Sequence, residues 1–167
     1  MKMIICLLLF FVGSLSAAGT DKSAGGFAAH IGMGNMYGGA GGVAIEYQQV
    51  LSPLIRLSPF ISGGQVISVD PDKSASRIGY CLGVNAEFGK FHRLFVGPNF
   101  GTHYIELPYD AANHRQTATG LAMVLGYKGT ARIGILWQLY GGLAYIVNSK
   151  NGDEVVPAFG LGIGYKF

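Results

Sequence analysis

The stretch AFGLGIGYKF, residues 158–167, alternates large apolar side chains with small ones over its whole length. Phe159, Leu161, Ile163, Tyr165 and Phe167 fall on one side, with Gly160, Gly162, Gly164 and Lys166 on the other. A repeat of two is the side-chain period of an extended strand, and no helix face can be drawn through it. The run therefore reads as a strand with one bulky apolar face kept up to its final aromatic.

The same rhythm recurs along the chain. Ile78, Tyr80, Leu82, Val84, Ala86 and Phe88 alternate with Gly79, Cys81, Gly83, Asn85 and Glu87. Leu121, Met123, Leu125 and Tyr127 alternate with Ala122, Val124, Gly126 and Lys128, and Ile133, Ile135, Trp137 and Leu139 with Gly134, Leu136, Gln138 and Tyr140. Eight such segments are predicted, at about 25–33, 42–50, 56–67, 77–88, 94–106, 120–128, 132–146 and 155–167. The third is weakened by Pro59, Gly63 and Gly64. Short connections at 51–55, 89–93 and 129–131 alternate with longer polar or Gly-rich ones at 34–41, 68–76, 107–119 and 147–154.

Composition decides which solvent the bulky faces meet. Half of the 167 residues are hydrophobic, 13% are charged and 27 are Gly, too apolar for disorder and too Gly-rich for a helical bundle. The basic residues are scattered and the formal charge is only +3, which argues against nucleic acid as a partner. A soluble sandwich also alternates, but its outer face is charged. Here the second face carries Gly, Ala, Asn, Gln and few charges, and the first carries Phe, Tyr, Ile, Leu and Trp137. That is a lipid-facing exterior around a narrow interior. In hydrocarbon every backbone N–H and C=O must pair, so the sheet must close. An even strand number with alternating turns and loops fits an all-β, eight-stranded antiparallel transmembrane up-and-down β-barrel, turns toward the periplasm and loops outside.

The N-terminus has another character. Lys2 precedes the apolar run Ile4–Val12 and the small residues from Ser14 to Ala18, the layout of a secretory signal peptide cleaved after Ala18. The expected organisation is a signal peptide at 1–18, a short periplasmic segment at 19–24 and the barrel at 25–167. Cys6 falls within the leader, leaving Cys81 as the one cysteine of the mature chain and no internal disulfide.

With the leader, the eight segments and the terminal pattern Phe159-x-Leu161-x-Ile163-x-Tyr165-x-Phe167, the chain resembles the small OmpA-type and OmpX-type outer-membrane barrels. The resemblance implies a cell outer-membrane location and export through the periplasm. It implies as partners the outer-membrane lipids and lipopolysaccharide, periplasmic chaperones, and the barrel assembly machinery that reads the terminal residues. It implies an architecture rather than an activity.

An eight-stranded barrel is filled by its own side chains, so chemistry is sought first on the inward face. Parity places His30, Glu46, Gln48, Asn85, Glu87 and Asn99 there, followed by His103, Lys128, Arg132, Gln138, Tyr140 and Lys166. Buried charges require partners, so Glu46 or Glu87 is expected within ion-pair reach of Lys128 or Arg132, in a polar network including His103 and Asn99. Some barrels of this size modify lipid A, which requires a base beside a nucleophilic hydroxyl. Thr102 and His103 are neighbours on a strand and face opposite sides, and His92 and His114 fall in connections. No catalytic, cofactor or metal residue is assigned. Asp70-Pro71-Asp72 reads as a turn, and the Gly-rich run Gly32–Gly42 leads into a strand instead of the helix a dinucleotide site requires.

The outer connections carry Asp70, Asp72, Asp110, Asp153 and Glu154 beside Lys73, Arg115 and Lys150, with Tyr37 and Tyr109 as candidate anchors for an unidentified surface partner. The expected role is structural or adhesin-like, with a polar, filled lumen. A lipid A-modifying enzyme and a narrow pore are the alternatives.

Overall fold

The computed structural model describes residues 25–66, 77–105, 116–149 and 152–167. The expected leader at 1–18 and the segment 19–24 lie outside them, as do Asp70, Asp72, Lys73, Tyr109, Asp110, His114, Arg115 and Lys150.

Eight antiparallel strands close on themselves in chain order: β1 (Gly26–Gly34), β2 (Gly39–Ser52), β3 (Ile55–Val66), β4 (Arg77–Gly89), β5 (His92–Ile105), β6 (Gln116–Thr130), β7 (Ile135–Ser149) and β8 (Gly152–Lys166). The last strand pairs with the first from Ala28↔Lys166 to Gly34↔Gly160, so the described sheet has no open edge. This is the expected eight-stranded barrel. A 14-residue strand such as β2 or β5, at about 3.3 Å per residue and the usual tilt of about 40°, rises about 35 Å along the axis. That exceeds the outer-membrane apolar band of about 25 Å.

Parity sorts the faces as the alternation demands. Leu82, Leu125, Ile135, Leu161 and Ile163 point outward and are exposed, as are Tyr80, Val84 and Trp137. Their neighbours Cys81, Asn85, Glu87, Lys128 and Gln138 point inward and are buried. A surface that exposes Leu125 at 64% while burying Lys128 completely inverts the arrangement of a water-soluble fold.

Pro59, Pro98 and Pro157 lie within β3, β5 and β8, all on the outer face. Proline donates no ladder hydrogen bond. The ladder skips from Glu46↔Phe60 to Gln49↔Leu57 beside Pro59, and from Gly83↔Asn99 to Ala86↔Val96 beside Pro98. The flanking pairs hold the register, and β3 runs through the expected interruption.

Three connections depart from expectation. The stretch 34–41 is no projecting loop: β1 and β2 are joined through a single 3-10 turn, Asn35–Tyr37. The stretch 147–154 is mostly strand, since β7 reaches Ser149 and β8 starts at Gly152, which pairs with it. The dipeptide Asn151-Gly152 carries the sequence signal of a tight hairpin connection. Third, β7 starts at Ile135 and not at 132. Gly134 adopts φ 96°, and the Gly134 amide donates to the Ala131 carbonyl at 3.0 Å, closing a turn over 131–134.

Candidate functional site: the barrel interior

The short turns after β2, β4 and β6 share one end of the barrel with Gly25 and Phe167. The interior nearer this end is charged. Lys128 on β6 donates to Glu46 Oε2 at 2.7 Å and to Glu87 Oε1 at 2.5 Å, bridging strands β2 and β4 through the lumen. Arg93 Nη1 sits 2.8 Å from the other Glu87 oxygen, and Arg93 also donates to Thr130 Oγ1. Glu46 is held from two further sides, by Gln48 Nε2 at 2.5 Å and by His30 Nε2 at 3.4 Å. The oxygen of the same Gln48 amide faces Arg93 at 3.3 Å and Arg56 at 3.5 Å. All of these side chains except Thr130 are buried. With Lys166, the described buried residues place four cations against two carboxylates. Such charges persist away from bulk water only because each meets opposite charge or a hydrogen bond.

Toward the loop end the interior turns apolar. Met36, Tyr37, Phe60, Cys81, Val124 and Tyr140 cluster with Ala122, Ala144 and Ala158. Its centre is the 3-10 turn, which packs against six strands. Tyr37 is fully buried; its hydroxyl accepts a hydrogen bond from Gln138 Nε2 at 2.7 Å. The Met36 amide donates to the Tyr140 hydroxyl at 2.8 Å, and Asn35 Oδ1 accepts from the Phe159 amide at 3.2 Å.

A row of glycines makes room for this turn. Gly162, Gly32, Gly42, Gly64 and Gly79 are register partners across β8, β1, β2, β3 and β4. A Cβ on Gly32 or Gly162 would overlap the Tyr37 ring, and one on Gly42 or Gly64 its carbonyl oxygen. Gly38, at φ 71°, lets the chain turn back while lying against Gly79.

Glu46, Glu87 and Lys128 meet in one network, while Asn99 lies higher and accepts a hydrogen bond from the Cys81 thiol at 3.5 Å. Arg132 does not join them. It is exposed in the turn 131–134, because the positive φ of Gly134 delays β7 to Ile135, three residues later than the sequence pattern suggested. His103 lies on β5 opposite Ala118, and its side chain is outside the described ones. Tyr37 is no surface anchor; hydrogen bonding and the glycine row draw it inward. Phe159, Leu161, Ile163 and Tyr165 line the outer face of β8, and Phe167 donates its amide to the Phe27 carbonyl at 2.9 Å. Two lumen cations escaped sequence reasoning. Arg93 was assigned to a turn at 89–93, although counting back by twos from Asn99 reaches it, and Arg56 begins a strand whose parity Pro59 obscured.

No protein-family model matches the chain, and no curated protein is found to be similar to it. Among solved structures it is similar to the N-terminal β-barrel domain of Pseudomonas aeruginosa OprF, at 16% identity over 87% of this chain and 98% of that one, with a TM-score of 0.49. Neisserial surface protein A is 14% identical over 89% of this chain and 99% of that one, with a TM-score of 0.48. The Yersinia pestis outer membrane protein Ail in a phospholipid bilayer nanodisc is 16% identical over 86% and 99%, with a TM-score of 0.46. The assignment of a closed eight-stranded barrel rests on the chain's own strand register.

Proposed function

We propose that the protein is an integral outer-membrane β-barrel with a closed, non-conducting lumen, serving a structural or surface-interaction role without catalysis. One observation carries the reading. The interior is occupied along its axis by the protein's own groups, the Lys128-bridged carboxylates below and the Tyr37 turn above, while the exterior is a continuous apolar belt. The short-turn end faces the periplasm and the loop end the outside, where the charged connections are the place for a partner.

The test is reconstitution of the refolded barrel in planar bilayers beside surface proteolysis of intact cells. The expectation is heat-modifiable migration, cleavage confined to outer loops and no unit conductance. Reproducible conductance steps would refute the closed lumen, and absence from the outer-membrane fraction would refute the location. Lipid A mass spectrometry with and without the protein tests the non-catalytic role, an altered acyl pattern counting against it.

A further inference from the structure

The exposed charge of the short-turn end has one sign. The described residues there show Lys90 in the β4–β5 turn, His92 at the start of β5 and Arg132 in the β6–β7 turn, all exposed, and no Asp or Glu. In the full sequence, six acids (Asp70, Asp72, Glu106, Asp110, Asp153 and Glu154) lie in or beside the opposite connections. The two cationic turns are neighbours. His92 pairs with Gly129, and the Thr130 amide donates to the Phe91 carbonyl at 2.9 Å, which carries the ladder to the point where Lys90 and Arg132 emerge.

Directly beneath them on the outer wall lies a built aromatic platform. The Tyr127 hydroxyl meets His92 Nδ1 at 2.6 Å, and its ring packs against Trp137 at a centroid distance of 5.1 Å. The Trp137 ring lies over Gly129, where a Cβ would collide with the indole. Two residues back along β6, away from the turn, Leu125 and its register partner Val96 are both exposed. From the rim inward the surface thus presents two fixed cations, then hydrogen-bonding aromatics, then bare aliphatics. That order matches a phospholipid with an anionic headgroup, whose phosphate, glycerol region and acyl chains are stacked the same way.

We propose that Lys90 and Arg132, with His92, Tyr127 and Trp137, form a binding site for an anionic phospholipid of the periplasmic leaflet. This rests on the membrane-spanning reading above, and one experiment separates the two. Trp137 is the chain's sole tryptophan, so intrinsic fluorescence reports on this platform alone. The refolded protein is placed in phosphatidylcholine vesicles containing either brominated phosphatidylglycerol or brominated phosphatidylcholine at equal mole fraction. A lipid-exposed cation enriches an anionic lipid about fivefold, so brominated phosphatidylglycerol is expected to quench severalfold more strongly. Lys90→Gln/Arg132→Gln, checked for folding by heat-modifiable migration, is expected to bring the two lipids level while both still quench. Equal quenching of the unaltered protein, or a preference that survives the double substitution, overturns the lipid site. No quenching by either lipid overturns the membrane reading itself.

Discussion

Replacing Lys128 with Met tests the centre of the lumen. Met has a comparable unbranched stem and can set its thioether against the Phe95 ring, over which the Lys128 ammonium stands 5.7 Å from the centroid, so the substitution removes charge with little loss of packing. Breaking one partner out of a buried ion pair costs about 3–5 kcal/mol, because a charge is stranded away from water. Two carboxylates lose a partner here, but unequally. Glu87 retains Arg93 at 2.8 Å, while Glu46 is left with a neutral amide at 2.5 Å and the more distant His30 at 3.4 Å. The loss is therefore expected to stay near 3–5 kcal/mol and to come chiefly from Glu46.

The inequality gives the test its edge. Adding Glu46→Gln to Lys128→Met should recover much of the stability, whereas adding Glu87→Gln should recover little and leave Arg93 without its carboxylate. A double-mutant cycle isolates each coupling, with pairs in contact expected to show about 0.5–3 kcal/mol. Equilibrium unfolding in urea, followed by Trp137 fluorescence and by the gel shift of the folded barrel, measures it. Lys128→Met within about 1 kcal/mol of the parent would refute the reasoning, because so small a loss is what an exposed ion pair gives. Equal rescue by the two glutamines would refute the assignment of the loss to Glu46.

Leu82→Arg, on the exposed outer face of β4, should cost roughly 2–4 kcal/mol near the bilayer midplane; a spin label at Leu82 accessible to water would contradict the lipid-facing assignment. Tyr37→Phe removes the partner of Gln138 Nε2 and should cost about 1–3 kcal/mol in the same urea assay. Gly162→Val places a side chain in the space of the Tyr37 ring, so Cys81, buried in the same cluster, should react faster with maleimides; an unchanged rate would show that the turn stays seated. Deleting Phe167 removes one backbone hydrogen bond and a ring contact with Tyr165 at 5.4 Å, about 1–3 kcal/mol in sum. The truncated chain should refold in detergent yet accumulate unassembled in the periplasm, and normal surface exposure in cells would remove the terminal aromatic as an assembly signal.

The strand faces were legible because side-chain parity is a local property that tertiary contacts cannot alter without breaking the ladder. Leu82 out and Glu87 in follow from counting by twos, as do Leu125 out and Lys128 in. Arg132 was misplaced where that counting was carried into a turn. Gly134 at φ 96° ends the count, and no periodicity reports a positive φ. Arg93 was missed by the reverse error, a turn drawn wide enough to swallow the first inward residue of β5.

Tyr37 was harder, because parity cannot say whether a hairpin's tip bends outward to solvent or inward over the lumen. The information was present in other strands. A barrel lined by ordinary side chains leaves no room for a folded turn, so a turn that enters must be met by residues lacking a Cβ. Gly32, Gly42, Gly64, Gly79 and Gly162 come from five strands, and each looks unremarkable within its own segment. Only register aligns them into one row, in which Gly32, Gly42, Gly64 and Gly162 lie against the Tyr37 ring or carbonyl and Gly79 against Gly38. Inward glycines are therefore more than filler for a crowded barrel. Where they fall at one level they mark space reserved for another part of the chain, and the nearest aromatic in an adjoining hairpin is the residue to test for it.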